Sequence, residues 1–224
     1  MDNKILLRAA LKKFVLGIGI LGLFLFIFAG DIRYWNAWLF IAAFAVCIFI
    51  FGVYLYTTDK DLLQKRLNSK EKEKEQNIYN LTAGISFIAI FIVCGFDYRL
   101  GWSLVSIAVV VSALFGMLCG YALFIVTLMQ NRFASRTVEI QDKQKVIDTG
   151  VYSMVRHPMY SAAIIMMFAV PVVLGSYFAL IPVLGFLAGI IFRIMNEEKV
   201  LSDRLEGYTE YMKKTRYRLI PYIW

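Results

Sequence analysis

Charged residues are excluded from long blocks of this sequence. Five stretches contain no Asp, Glu, Lys or Arg: Phe14–Gly30, Tyr34–Thr58, Gln76–Phe96, Leu100–Asn131 and Pro158–Phe192. A helix needs roughly 20 apolar residues to cross a bilayer core. The first three runs, at 17, 25 and 21 residues, each suit one span. Pro158–Phe192, at 35 residues, is too long for one helix and too short for three. Gly175-Ser176 lies near its middle, flanked by Pro171 and Pro182, which predicts a helical hairpin turning at Gly175. Leu100–Asn131 has no central break and reads as one tilted helix reaching past the membrane face. The pattern predicts an all-α polytopic membrane protein of about six apolar helices, the last two forming a hairpin.

Composition agrees. The 224 residues are 60% apolar and 18% charged, whereas a soluble domain carries about 25% charged residues. The first run follows Lys4, Arg8, Lys12 and Lys13, as a signal sequence would. No small-residue cleavage site follows it, and Asp31-Ile32-Arg33-Tyr34-Trp35 reads as an interfacial turn, so a retained first span is expected. The net charge of +8 does not imply nucleic acid, because the basic residues sit in loops between spans. Twenty-two of the 24 Lys and Arg residues fall on one side, and only Arg33 and Arg99 on the other. This asymmetry predicts cytoplasmic termini and long loops, and the short chain favours a bacterial inner membrane over the endoplasmic reticulum. Tyr34, Trp35, Trp38, Tyr98 and Trp102 would be aromatic anchors at the opposite interface.

The connecting segments differ in texture. Asp59–Glu75 alternates charge sign and reads as a solvated helical connection. In Arg132–Arg156, Val138-Glu139-Ile140 and Val146-Ile147 alternate about Gln141-Asp142-Lys143, suggesting a short two-stranded turn. Cys47, Cys94 and Cys119 lie in apolar runs without metal-ligand spacing and read as small hydrophobes; no metal is expected. The chain divides into N-terminal helices, 1–130, and a C-terminal region, 131–224, that contains the hairpin over 158–196.

Two polar clusters flank that hairpin. Gly150-Val151-Tyr152-Ser153-Met154-Val155-Arg156-His157-Pro158-Met159-Tyr160 leads in and holds the single histidine. Pro158 suits the first position of a helix, whose free N–H groups beside Arg156 and His157 would seat an anion or carboxylate. Arg193-Ile194-Met195-Asn196-Glu197-Glu198 leads out. Arg193 and Glu197 share a helix face, and Glu198 points about 100° further round. A hairpin returns to the face it left, so both clusters can converge there. Taken singly, an Arg-His pair reads as a basic anchor, Arg193–Glu197 as a surface pair, and the tyrosines as belt aromatics.

From about Arg136 onward the sequence resembles the isoprenylcysteine carboxyl methyltransferase family and the wider group that includes phospholipid N-methyltransferases. The resemblance rests on Gly150-Val151-Tyr152 with Val155-Arg156-His157-Pro158-Met159-Tyr160; on Arg193 with Glu197-Glu198 and Leu201; and on Gly207-Tyr208, Tyr211 and Arg218-Leu219-Ile220-Pro221. Leu62-Leu63-Gln64-Lys65-Arg66-Leu67 also looks like the loop that bacterial members carry between their second and third spans. One departure is Ala162, where the family often has glycine; it is still small, so close packing should survive.

The resemblance implies an integral-membrane methyltransferase that uses S-adenosylmethionine on a lipidic acceptor. By position, Arg156, His157, Tyr160 and Glu198 would contact the cofactor, with Tyr208, Tyr211 and Arg218 in the segment that closes over it. Arg193 and Glu197 would sit nearer the acceptor as catalytic residues. Cation–π and charge-assisted contacts suit a zwitterionic sulfonium. Arg193 would orient a prenyl carboxylate, the favoured acceptor, whereas Glu197 would take a proton from a phospholipid amine. The stretch Pro221-Tyr222-Ile223-Trp224 is no prenylation box of its own. Sterol C14-reductases share this C-terminal pattern with a nicotinamide nucleotide, so an NADPH-dependent reductase is the rival enzyme. A transporter or scaffold is the non-enzymatic rival, but the runs have no ionisable residue at their centres to couple ions.

Overall fold

A computed structural model describes residues 3–68, 74–131 and 144–224. Among them are eight α-helices and no strand: α1 (Asn3–Ala29), α2 (Trp35–Thr58), α3 (Lys60–Asn68), α4 (Lys74–Leu100), α5 (Ile107–Gln130), α6 (Pro158–Val173), α7 (Leu180–Arg204) and α8 (Tyr208–Lys214). α1, α2, α4, α5 and α7 are long and apolar enough to cross a membrane, and α6 is a shorter apolar helix of 16 residues. These make up the expected set of six apolar helices.

The hairpin turn is built as its sequence suggests. Gly175 takes φ +80°, a left-handed conformation that only glycine adopts without penalty. Its N–H donates to the Val172 carbonyl (3.0 Å) and the Ser176 N–H to the Pro171 carbonyl (2.9 Å), the paired bonds of a Schellman ending. Pro182 falls in the first turn of α7, where the missing N–H costs nothing.

Three readings need correction. The Leu100–Asn131 run is not one helix along its whole length. α4 runs on to Leu100, Gly101–Ser106 are non-helical, and Ser106 caps α5 by accepting from the Val109 N–H at 3.4 Å. Tyr34 is not an interfacial anchor. It is fully buried, stacked on Tyr98 at 4.2 Å, and its hydroxyl donates to the Leu174 carbonyl beneath the hairpin turn. Trp35, Trp38 and Trp102 do stay exposed. The Asp59–Glu75 connection is helical in α3 but not merely solvated, because Leu62 and Leu63 bury themselves against Leu6 and Leu55. Of the proposed two-stranded turn, Val138–Ile140 lies outside the described residues. Val146 and Ile147 form irregular chain packed on tyrosines.

The turn end of the hairpin is stitched to the rest of the bundle by buried polar groups. Asp97, at the end of α4, is 1% exposed. It accepts from the Ser103 N–H (2.7 Å), the Ser103 hydroxyl (2.6 Å) and the Ser176 hydroxyl. Asn36 adds a bond from Nδ2 to the Val173 carbonyl at 2.8 Å. Asp97→Ala strands both hydroxyls and frees the turn. It is expected to cost about 2–3 kcal/mol, as for buried donors left without an acceptor, read as a lower unfolding temperature in detergent.

At the other end of the bundle, α5 packs closely on α6. A Cβ at Gly120 would lie 2.8 Å from Met166 Cγ and 3.2 Å from the Ala162 carbonyl. Ala162 itself is fully buried, so the close packing expected at this position is kept. Of the three cysteines expected to be small buried hydrophobes, Cys94 is buried in the main core, Cys47 is half-buried and Cys119 is exposed on the helix surface.

Candidate functional site

The chain enters the site from α5. Gln130 Oε1 accepts from the Val151 N–H (3.0 Å), and Asn131 Nδ2 donates to the Tyr152 hydroxyl (3.1 Å). These bonds hold a single 3₁₀ turn, Gly150–Ser153, against the end of α5. Pro158 then opens α6 at its first position, with His157 as the residue before it.

The two clusters expected to converge do so in the structure. Glu198, near the end of α7, faces the start of α6. Its Oε1 accepts from Arg156 Nε at 2.6 Å and lies 3.2 Å from His157 Nε2. Its Oε2 accepts from Arg218 Nε at 2.9 Å. Arg156, His157 and Glu198 are all between 6% and 7% exposed. Two guanidiniums and an imidazole thus surround one carboxylate, and the group keeps surplus positive charge.

One turn deeper, Arg193 Nε donates to the Tyr160 hydroxyl at 2.6 Å, and that hydroxyl donates to Glu197 Oε2 at 2.6 Å. Arg193 and Glu197 do share a face of α7, but Tyr160 of α6 bridges them. Arg193 is buried and Glu197 half-buried, so the carboxylate is the more accessible member. The His157 and Tyr160 rings stack 5.7 Å apart, which ties the two groups together.

The C-terminal segment lies across the start of α6. Arg156 N–H donates to the Tyr217 carbonyl and His157 N–H to the Arg218 carbonyl, each at 2.9 Å. Arg156 Nη1 adds bonds to the carbonyls of Thr215 (2.8 Å) and Arg216 (2.7 Å), and the Ser161 hydroxyl bonds the Leu219 carbonyl (2.7 Å). The expected anion seat at the helix start is therefore filled differently. Chain carbonyls take the Arg156 and His157 amides, and the Tyr160 and Ser161 N–H groups turn back to His157 O. Arg218 also lies over the Trp224 ring at 5.0 Å.

Gly207, at φ +83°, turns the chain into α8, whose Tyr208 and Tyr211 are buried with Tyr152. The Tyr211 hydroxyl donates to the Tyr152 carbonyl at 2.7 Å. Burial pushes both phenols well above their ordinary range, reinforced at Tyr208 by Glu198 and Glu197, so both stay protonated at neutral pH. On the surface, Lys214 pairs with Asp148 at 2.6 Å and holds that carboxyl below its usual range.

Two buried polar atoms have no hydrogen-bond partner among the described residues: the Tyr208 hydroxyl, which lies close enough to Glu198 and Glu197 to feel their charge, and Asn196 Nδ2 on α7. Orphaned donors of this kind cost about 1–3 kcal/mol each. A ligand bearing acceptors fits such a place. Sequence reasoning quoted Asn196 but gave it no role, although its spacing of three from Arg193 was the available signal. It also missed Thr215 and Trp224, whose contributions depend on how the tail folds back.

Residues 109–206 match the family model of phospholipid methyltransferases. That family is related to the isoprenylcysteine carboxyl methyltransferases, so the resemblance read from the sequence stands. The phospholipid methyltransferase match covers under half of the chain. It runs from α5 to the end of α7, and so includes Arg156, His157, Tyr160, Arg193, Glu197 and Glu198. It indicates a membrane methyltransferase that works on lipid-type substrates. No curated protein matches the chain.

Proposed function

We propose that this protein is an S-adenosylmethionine-dependent methyltransferase that methylates the amine of a membrane lipid at the joined ends of α6 and α7. The observation that carries the reading is the surplus positive charge around Glu198, set beside the orphaned Tyr208 hydroxyl. Arg156, His157 and Arg218 would hold the cofactor's carboxylate, and Glu198 keeps those three groups in place. Tyr208 would supply a hydrogen bond. When bound, S-adenosylmethionine supplies a methyl group already activated on a sulfonium. The remaining demands fall on the protein, which must align the acceptor, exclude water and take up a proton.

Glu197 is the residue suited to the proton. It is half-buried at the edge of the cluster, and Tyr160 fixes one of its oxygens. Arg193 is buried, with its Nε bonded to Tyr160, whereas Glu197 is the more accessible of the two. This weighs toward an amine over the prenyl carboxylate that the sequence favoured, and the phospholipid methyltransferase match weighs the same way. The acceptor's tail would enter from the bilayer between helices.

Incubation of the purified protein with membrane lipids and a deuterated methyl donor tests this reading by mass spectrometry. Label is expected on lipid amines. Label on prenyl methyl esters would move the reading to carboxylate methylation, and binding of NADPH without S-adenosylmethionine would return the reductase. Tyr160→Phe removes the bridge between Arg193 and Glu197 while keeping the ring. It is expected to lower turnover about tenfold, with cofactor Kd changed less than about twofold, as for loss of a group that only positions the base.

A further inference from the structure

Outside the segment discussed so far, α1, α2 and α4 line a groove of about 620 Å³ that is open along one side, with α3 across one end. Its size falls within the range of ligand-binding cavities. The α1 residues that line it run from Leu7 to Phe24, about 25 Å of helix at 1.5 Å per residue. Apart from Lys13 and the Tyr56 ring the wall is apolar, including Phe14, Phe49 and Phe91, and holds no Asp or Glu. Two wall residues are glycines inside helices, Gly17 and Gly52, and a Cβ added at either would meet nothing within 4 Å. Glycine weakens a helix interior, so placing it twice on one wall keeps width at the expense of helix stability.

The rim is not neutral. Lys13 lines the groove, and its Nζ donates to the Leu67 carbonyl at the end of α3. No carboxylate pairs with Lys13 among the described residues. Arg8 and Lys12 are exposed on the same end of α1. An apolar slot about as long as a lipid tail, with at its mouth a positive charge that no carboxylate among the described residues pairs, complements an amphiphile with a negative head.

We infer that this groove is a binding site for an anionic phospholipid, its acyl chain between α1, α2 and α4 and its headgroup at Lys13. The site lies in residues 7–91, away from Glu198 and its partners, and does not depend on the methyltransferase reading. A lipid held there would fill the space that the two glycines leave and join α3 to the helices beside it.

Native mass spectrometry of the full-length protein tests this after exchange with phosphatidylglycerol or phosphatidylcholine of identical chains. The wild type is expected to retain about fivefold more phosphatidylglycerol, the factor one basic residue near a membrane surface supplies. Lys13→Gln, a change at an exposed position, is expected to erase that preference. Gly17→Leu with Gly52→Leu is expected to lower retention of both lipids by about fivefold or more, since the chain's apolar contacts are lost. Gly19→Leu, equally unobstructed but off the wall, is expected to retain lipid as the wild type does. Equal retention of the two lipids by the wild type, or full retention by the filled variant, would overturn the inference. Thermal unfolding in detergent shows whether each variant is folded, and Lys13→Gln keeps the test decisive if the double variant is not.

Discussion

Glu198→Gln is expected to weaken S-adenosylmethionine binding by about 100-fold. The carboxylate joins three basic groups from two separate segments: Arg156 and His157 before α6, and Arg218 in the tail. Removing one partner from a buried charged cluster typically costs 3–5 kcal/mol, because the others are left uncompensated. At the lower figure this is about two powers of ten in affinity if the cofactor needs the cluster assembled. Gln preserves shape and volume, so the loss reports charge and not packing. Isothermal titration measures it, with unfolding temperature as the control for a collapsed site. His157→Ala keeps both arginine contacts and is expected to weaken binding less, by about tenfold.

Glu197→Gln is expected to act on turnover, by about 100-fold, the usual scale for loss of a general base. S-adenosylmethionine affinity should stay within about twofold, because Glu197 takes its one described contact from Tyr160 and none from Arg156, His157 or Arg218. Neighbouring carboxylates on one helix would then separate into two roles, one seen in Kd and one in kcat. Equal effects of the two substitutions on both constants would mean that the α7 end works as a single undivided cluster.

Much of this arrangement is visible in the sequence. The length of the Pro158–Phe192 run and its central Gly175 predict the hairpin, and a hairpin requires its two flanks to share a membrane face. That topological step alone brings His157 and Glu198 to one side. Their direct contact was not legible, nor was the Tyr160 bridge, since such pairings join residues 33–42 positions apart. The tail's role is hidden for the same reason: it acts through backbone carbonyls of Thr215, Arg216, Tyr217 and Arg218, which any residue possesses.

The misread elements share another cause. Tyr34 has the sequence position of an interfacial aromatic, but the Leu174 carbonyl and the Tyr98 ring give it a buried partner on each side. The Leu100–Asn131 run has no charge to mark a break, but Ser106 within it caps a helix and ends the continuity. The charge-free runs located the long apolar helices, but they carry no information on which polar groups find partners within the protein.

The most direct test of the central claim is titration of S-adenosylmethionine into the purified full-length protein in detergent. Saturable binding at one site per chain is predicted, reduced strongly by Glu198→Gln and Arg218→Ala and unaffected by Lys214→Ala on the exposed Asp148 pair. Absence of saturable binding to the wild type, or equal binding by all three variants, would contradict a cofactor site at the meeting of α6, α7 and the tail.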